Sequence, residues 1–174
     1  IGMSCAAILY EIYWGESGVT EDLLVDRNLF DHTGYFKNQD LYATVSITGL
    51  GSEVSEDFLL YKDIIISNNK IINRTTTYAV YVNSAKNVKI IGNIFGPFVG
   101  NDFTSNPEDP ETDGTMPLIH IFAAMDIEIS GNTYPNPDAL KEEYVVAEKN
   151  IHVYGTDVTY DGTVDGPSLI PDDK

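Results

Sequence analysis

The nine residues 63–71, DIIISNNKI, contain the pattern that decides the fold, and this pattern recurs four more times along the chain. Each nine-residue box begins with Asp or Asn, has apolar residues at its second and fourth places, Asn or Thr at its seventh, and an apolar or aromatic residue at its ninth. The other boxes are DLLVDRNLF (22–30), NVKIIGNIF (87–95), DIEISGNTY (126–134) and NIHVYGTDV (150–158). Their starts lie 41, 24, 39 and 24 residues apart. Repetition at such periods is typical of solenoid proteins.

The spacing inside a box predicts a strand, a tight corner and a second strand. The second and fourth places have the period of a strand, so both side chains point inward, and the ninth place begins the next inward row. Asn at the seventh place fits the corner because its amide satisfies backbone groups and tolerates left-handed backbone angles. We expect these amides to stack from rung to rung as a ladder. Gly92, Gly131 and Gly155, just before that place, give the corner the same freedom.

An apolar strand also precedes each box, and its distance from the box is regular. Val82, Ile121 and Val145 each lie five residues before the next box. The fold class predicted is therefore all-β, a right-handed parallel β-helix of about five rungs, rather than an antiparallel sandwich with turns every 8–12 residues. We expect the rungs to occupy 1–160 and a tail or cap to occupy 161–174. We also expect the chain to be the C-terminal part of a longer polypeptide, whose N-terminal portion packs on rung one.

The charge balance excludes some classes of partner. The chain has 27 acidic and 10 basic residues and a net charge of −17, so nucleic acid and anionic membranes are repelled. No stretch approaches the ~18 apolar residues of a membrane span, so we expect no membrane insertion. Arg27 and Arg74 are the only arginines, which argues against a lyase or clamp for uronate, sulfate or phosphate groups. A neutral ligand fits better.

Three insertions between strands are where function is expected, because loops form the working surface of a solenoid. They are the loops at 10–21, 49–61 and 98–116. The first two leave from the same corner of rungs one and two and should be neighbours, whereas the third leaves from another corner.

The first loop has the composition of a sugar site. Trp14, the only tryptophan, and Tyr13 provide aromatic faces for a pyranose, and Glu11 and Glu16 are carboxylates beside them. Glycoside hydrolysis needs two carboxyl groups, about 5–5.5 Å apart for retention or about 6.5–9.5 Å for inversion, and Glu53 on the adjoining loop is a candidate partner. The alternative is that these are solvated acids of an acidic surface.

The stretch 7–30, AILYEIYWGESGVTEDLLVDRNLF, resembles the β-helix of glycoside hydrolase family 110, the bacterial exo-acting α-galactosidases, and of related right-handed β-helix proteins. The shared pattern is an apolar strand, a short loop ending in Trp-x-Glu-Ser-Gly (14–18) and the next rung. The resemblance implies galactosyl substrates and a secreted bacterial protein. It departs from the family at Glu11, a single acid where members have an acidic pair before the tryptophan.

Other candidate ligands are weaker. His32 follows the loop-bearing rung and is a candidate for substrate binding, whereas His120 and His152 occupy outward strand positions and are expected on the surface. No metal ligand set has regular spacing. The acidic residues of 102–113 have the hard oxygen ligands of a Ca²⁺ site, or form a solvated acidic loop, and no other cofactor is indicated.

Two functional hypotheses remain open. The first is a secreted or cell-surface glycoside hydrolase acting on neutral glycans, with Glu11, Glu16 and Glu53 catalytic and Tyr13, Trp14 and His32 binding substrate. The second is a non-catalytic surface or phage-type solenoid that serves as an adhesin, a stalk or a glycan-binding module.

Overall fold

The described part of the chain is built of β-strands alone. The computed structural model describes residues 6–11, 18–33, 43–49, 59–73, 78–97, 118–136, 144–148 and 151–158, and no helix occurs among them. The strands are β1 (Ile8–Glu11), β2 (Thr20–Asp26), β3 (Leu29–Asp31), β4 (Ala43–Thr48), β5 (Tyr61–Ser67), β6 (Lys70–Ile72), β7 (Tyr78–Asn83), β8 (Ala85–Ile91), β9 (Ile94–Phe95), β10 (Ile119–Phe122), β11 (Met125–Ser130), β12 (Val145–Glu148) and β13 (Ile151–Tyr154).

The strands form three parallel sheets, each ordered as in the sequence. The first sheet has the order β1-β4-β7-β10-β12, the second β2-β5-β8-β11-β13 and the third β3-β6-β9. All the pairings are parallel. We call each consecutive pair of strands from the first and second sheets a rung, together with the following strand of the third sheet in the first three rungs. The prediction of an all-β chain with stacked parallel strands is confirmed, and the antiparallel alternative is wrong for these segments. The arrangement is consistent with a parallel β-solenoid.

Columns of aliphatic side chains fill the space between the sheets. In the second sheet Leu23, Ile64, Val88, Ile127 and Val153 pair in register, and all are buried. Val45, Val80, Ile119 and Val145 make the corresponding buried column of the first sheet. Burying each such side chain contributes roughly 1.5–3 kcal/mol, so these columns supply the main favourable term in folding. The inward second and fourth places of the first four boxes are thereby confirmed.

The predicted asparagine ladder is present at the corner between the second and third sheets. From Asn69 onward, the Oδ1 of each ladder Asn accepts from the backbone N–H and the side-chain amide of the Asn in the rung before it: Asn28 donates to Asn69 at 3.0 Å from both groups. Asn69 donates to Asn93 at 2.9 and 3.0 Å, and Asn93 donates to Asn132 at the same distances. Asn69 and Asn93 are fully buried, so their complete hydrogen bonding is required rather than optional.

The left-handed residues of the corner differ from the prediction. The seventh-place asparagines do not have positive φ; the residue before each of them does, namely Arg27, Asn68, Gly92 and Gly131. The chain turns one residue earlier, which leaves the asparagine free to project its amide along the ladder. The first residue of each of these boxes is also left-handed, at Asp22, Asp63, Asn87 and Asp126. Asp and Asn suit this place because they tolerate positive φ better than other side chains.

The register predicted for the fifth box is wrong by two residues. His152, not Asn150, is the left-handed residue opposite Asp126, since Ile151 pairs with Met125 and Val153 with Ile127. The preceding strand is shifted in the same way, because Val145 pairs with Ile119 rather than with Ile121. The ladder position is then taken by Asp157, which accepts from the backbone N–H and the amide of Asn132 at 2.8 Å.

The strand ends redefine the predicted loops. Glu11 ends β1 and Thr20 begins β2, so the first loop spans 12–19, and the second spans 49–60 between β4 and β5. The third loop separates β9 from β10 and so leaves from a different corner, as predicted. Residues 12–17, 50–58 and 98–117, with the tail at 161–174, lie outside the described residues.

Candidate functional site

The corner between the first and second sheets joins the anchors of the first two loops. Glu11, at the end of β1, pairs with Thr48 at the end of β4. On the far side of the loops, the backbone N–H of Thr20 donates to the carbonyl of Leu60 at 2.9 Å. Both loops therefore leave and re-enter the sheets side by side, as the box spacing predicted.

Buried polar groups lie at this corner in rungs two and three. Thr48, Asn83 and Ser84 are buried, and Tyr61 donates its hydroxyl to the carbonyl of Thr48 at 3.0 Å. Ser84 donates its hydroxyl to Asn83 Oδ1 at 2.6 Å, and its carbonyl accepts from the N–H of Leu60 at 2.9 Å. These bonds fix the re-entry point of the second loop, because each buried donor has a defined acceptor.

An aromatic cluster covers the outer face of the first sheet. Ser46, Tyr81 and His120 pair in register, two residues from the loop corner. The His120 ring lies edge-on to Tyr78 and Tyr81, with centroid distances of 4.9 and 5.2 Å. The predicted outward strand position of His120 is confirmed, since Ile119 and Ile121 on either side of it are buried inward. The expected surface location is not confirmed, because His120 is only partly exposed and both of its ring nitrogens are shielded from solvent. Tyr81 is only 3% exposed as well, so little of this cluster is open to a ligand.

The sequence did not predict this aromatic cluster. A signal was available, because the residues alternating with the inward Val80 and Val82 of β7 and Ile119 and Ile121 of β10 include the aromatic residues Tyr81, His120 and Phe122. Their proximity depends on the parallel pairing of β7 and β10, which the outward residues alone do not determine.

His32 lies at the opposite end of the first sheet from Glu11. It follows β3 in a left-handed conformation, is exposed, and its Nδ1 is 2.6 Å from Asp31 Oδ1. The next residue, Thr33, is hydrogen-bonded to Thr44 at 2.7 Å, near the start of β4. Thr44 and Thr48 are four residues apart in an extended strand, roughly 13 Å. The structure therefore does not bring His32 together with Glu11.

The carboxyl group beside His32 is held ionised by local hydrogen bonds. The pKa of Asp31 is lowered first by the side-chain hydrogen bond from Asn73, which has a length of 2.9 Å, and then by His32. Asp31 is thus suited to accept hydrogen bonds and not to act as an acid at neutral pH.

A second surface runs along the outer face of the second sheet. A shallow groove of about 310 Å³ is lined by the box-leading residues Asp22, Asp63 and Asn87 and by Leu24 and Ile65. Asn87 donates its amide to Asp63 Oδ1 at 2.5 Å, which aligns two of the leading side chains. Further along, His152 is exposed and contacts Asp126 Oδ1 at 3.0 Å, as expected for a surface histidine. The groove has both polar and apolar walls.

The remaining site predictions fall outside the described residues. Tyr13, Trp14, Glu16 and Glu53 lie there, as does the acidic loop 102–113 that was considered for Ca²⁺. Among the residues that the structure describes, no group of three or more His, Cys, Asp or Glu side chains is placed to hold a metal ion. In the same part of the chain, no helix has the length and hydropathy needed to cross a membrane.

Comparison with known proteins identifies no relative: no family model matches the chain, and no match was found among curated proteins or among solved structures.

Proposed function

We propose that the chain is a right-handed parallel β-helix that hydrolyses neutral, galactosyl-type glycans at the corner where loops 12–19 and 49–60 meet. The handedness is supported by a general rule, because connections between parallel strands of one sheet are nearly always right-handed. In this proposal Trp14 and Tyr13 stack on the sugar, and Glu11, Glu16 and Glu53 supply the two carboxyl groups that protonate the leaving oxygen and activate water or attack the sugar.

One observation carries the proposal: the two acid-bearing loops are anchored against each other at both ends. Glu11 pairs with Thr48 on one side, and Thr20 is hydrogen-bonded to Leu60 on the other. Both loops, of eight and twelve residues (12–19 and 49–60), therefore begin and end at the same corner. The net charge of −17 favours a neutral substrate over an acidic one.

A glycan-binding module without catalysis is the second candidate. The groove along the second sheet favours it, because its polar and apolar lining, which includes Leu24, Asn87 and Lys89, offers contacts to a glycan along three rungs. In both cases the partner is a carbohydrate, and the proposed location is the exterior or surface of a bacterial cell.

Turnover of aryl α- and β-galactosides by the variants Glu11→Gln, Glu16→Gln and Glu53→Gln tests the hydrolase. We expect at least two of them to lose about 10²–10⁴-fold in kcat. Glu128→Gln is the matched control, since Glu128 lies on β11, three rungs from rung one, and is expected to keep full activity. Unchanged turnover in all the variants rules out carboxylate catalysis at this corner. Glycan binding by a wild-type chain that shows no turnover assigns the protein to the second candidate.

A further inference from the structure

The groove along the second sheet passes close to both loops of the proposed site. These loops lead into Thr20 and Tyr61, the first residues of β2 and β5. The groove residues Asp22 and Asp63 follow two positions later, roughly 7 Å along an extended strand. The groove then continues onto β8, which a single residue, Ser84, joins to β7. It therefore adjoins the re-entry points of both loops and extends beyond them onto rung three.

The groove belongs to the middle of the sheet face as well as to rung one. β5 and β8 are paired on both sides, and they contribute Asp63, Ile65, Asn87 and Lys89 to its lining. Ile65 is 37% exposed there, although the inward side chains on either side of it are fully buried. Asn87 and Asp63 are aligned by the hydrogen bond between their side chains. An exposed aliphatic floor with polar side chains beside it is thus part of the internal strands.

The charges along the groove balance one another, in contrast to those of the chain as a whole. The lining residues and the residues that come immediately before the box leaders include three carboxylates and three lysines: Glu21, Asp22, Asp63, Lys62, Lys86 and Lys89. Lys62 Nζ lies 3.5 Å from Glu21, so part of this charge is paired within the protein. The whole chain has a net charge of −17, which repels anions. A neutral occupant therefore suits this groove better than a charged one.

The sheet face is suited to a glycan rather than to an extended peptide. A peptide that adds to a sheet pairs with the backbone of an edge strand, whereas β5 and β8 already pair with a strand on each side. The groove instead offers side-chain groups, because Asp63 accepts hydrogen bonds from hydroxyls and Lys89 donates them. Ile65 and the alkyl stem of Lys89 provide apolar contacts for the C–H faces of sugar rings.

We infer that this groove binds an extended neutral glycan that lies along the stacking direction of rungs one to three. Each rung adds about 4.8 Å in this direction, which is close to the length of one sugar unit in an extended chain, so one unit faces each rung. The inference rests on the proposed carbohydrate function and deepens it. The substrate is a polymeric glycan whose chain is held in the groove, beside the corner where a galactosyl unit is cleaved.

Binding of defined oligosaccharides tests the inference without a readout of turnover. Galactose, α-1,4-linked and β-1,4-linked galactotetraose, and α-1,4-linked tetragalacturonate are titrated into the intact chain by calorimetry, in the Glu16→Gln background to keep the ligands intact. We expect at least one galactotetraose to bind at least about tenfold more tightly than galactose, because more rungs contact it. Tetragalacturonate is expected to bind at least about tenfold more weakly than that galactotetraose, since the chain repels its carboxylates. Changing the ligand leaves the folding of the protein unaffected.

A pair of protein variants locates the binding. Ile65→Ser removes the apolar floor and is expected to weaken binding of galactotetraose at least about fivefold. Ile94→Ser is the matched control, since Ile94 is an exposed isoleucine of the third sheet, away from the groove, and binding is expected to stay unchanged.

The outcomes separate this inference from the hydrolase proposal. Galactotetraose binding that Ile65→Ser weakens, in a wild-type chain that does not cleave galactosides, supports the groove and rejects the hydrolase. Equal affinity for galactose and both galactotetraoses, equal effects of Ile65→Ser and Ile94→Ser, or no saturable binding of either galactotetraose overturns the inference. Tighter binding of tetragalacturonate than of its neutral counterpart overturns it as well.

Discussion

Asn69 donates its amide to Asn93 Oδ1 at 3.0 Å while both side chains are fully buried. This hydrogen bond joins rung two to rung three across 24 residues of sequence, and it is repeated with the same geometry between Asn93 and Asn132. The ladder thus fixes the rotational register of neighbouring rungs, which aliphatic columns alone would leave free to slip.

Asn93→Ala should destabilise the protein by about 3 kcal/mol. The substitution leaves the buried donors of Asn69 and the carbonyl of Ile66 without partners, and each unsatisfied group costs roughly 1–3 kcal/mol. Urea unfolding followed by circular dichroism measures the change. Asn28→Ala is the control, because Asn28 is exposed at the end of the ladder, and less than about 1 kcal/mol is expected there. Equal losses in the two variants would contradict a role for burial.

Gly155→Ala should be far more destabilising than Gly131→Ala. A Cβ at residue 155 would collide with the carbonyl of Ile129, whereas at residue 131 it meets no atom within 4 Å. Both glycines have positive φ, so the second substitution still costs about 1 kcal/mol in backbone strain. We expect more than about 3 kcal/mol for the first, from the shift in the urea midpoint. Similar midpoints for the two variants would show that the fifth rung packs differently.

The stability of the fold should fall as the pH rises above about 10. Burial, and then the negative charge of Asp157, raise the pKa of Tyr134 above its ordinary value of 10.0. The unfolded chain therefore loses this proton at a lower pH than the folded chain, and stability present below pH 10 is lost above it. One proton accounts for up to about 1.4 kcal/mol per pH unit.

Tyr134→Phe should make this pH dependence shallower. Unfolding free energies measured between pH 9 and 11 test the prediction. A variant slope equal to the wild-type slope would show that Tyr134 ionises as readily in the folded state as in the unfolded state.

Asn68→Ala should raise the pKa of Asp26. Asp26 has a pKa below the ordinary 3.8, chiefly because Asn68 donates a side-chain hydrogen bond to it, with smaller contributions from Ser67 and Arg27. A lowered pKa stabilises the fold above the ordinary value, and this contribution is lost as the pH falls through the folded pKa. Carboxyl ¹³C chemical shifts measured against pH test the change. Arg27→Gln should have the smaller effect, and a larger effect from Arg27 would reverse the assigned order of causes.

Much of the fold is predictable because its repeating unit is local. Within each of the first four boxes, the period of the strand predicts which residues point inward, such as Ile64 and Ile66. The Asn at the seventh place predicts the side chain that forms the ladder. The sites are harder to predict. His32 appeared close to the loop corner because it follows the first box, yet the strand length places it at the other end of the sheet. The aromatic cluster of Tyr78, Tyr81 and His120 depends on contacts between rungs that are 39 residues apart in sequence.

The sequence by itself determined the strand pattern, the inward columns and the asparagine ladder. Apolar residues alternate along each strand with a period of two, so only one face of the strand can be buried, and the polar seventh place marks the corner. The tertiary structure alone decided the register of the fifth rung. Shifting this rung by two residues keeps Val153 inward in either register, so hydrophobic periodicity cannot distinguish the alternatives. Asp157 selects the register, because its carboxylate accepts hydrogen bonds from the backbone N–H groups of Gly131 and Asn132 and from the Asn132 amide. These donors are in position only once rung four has formed.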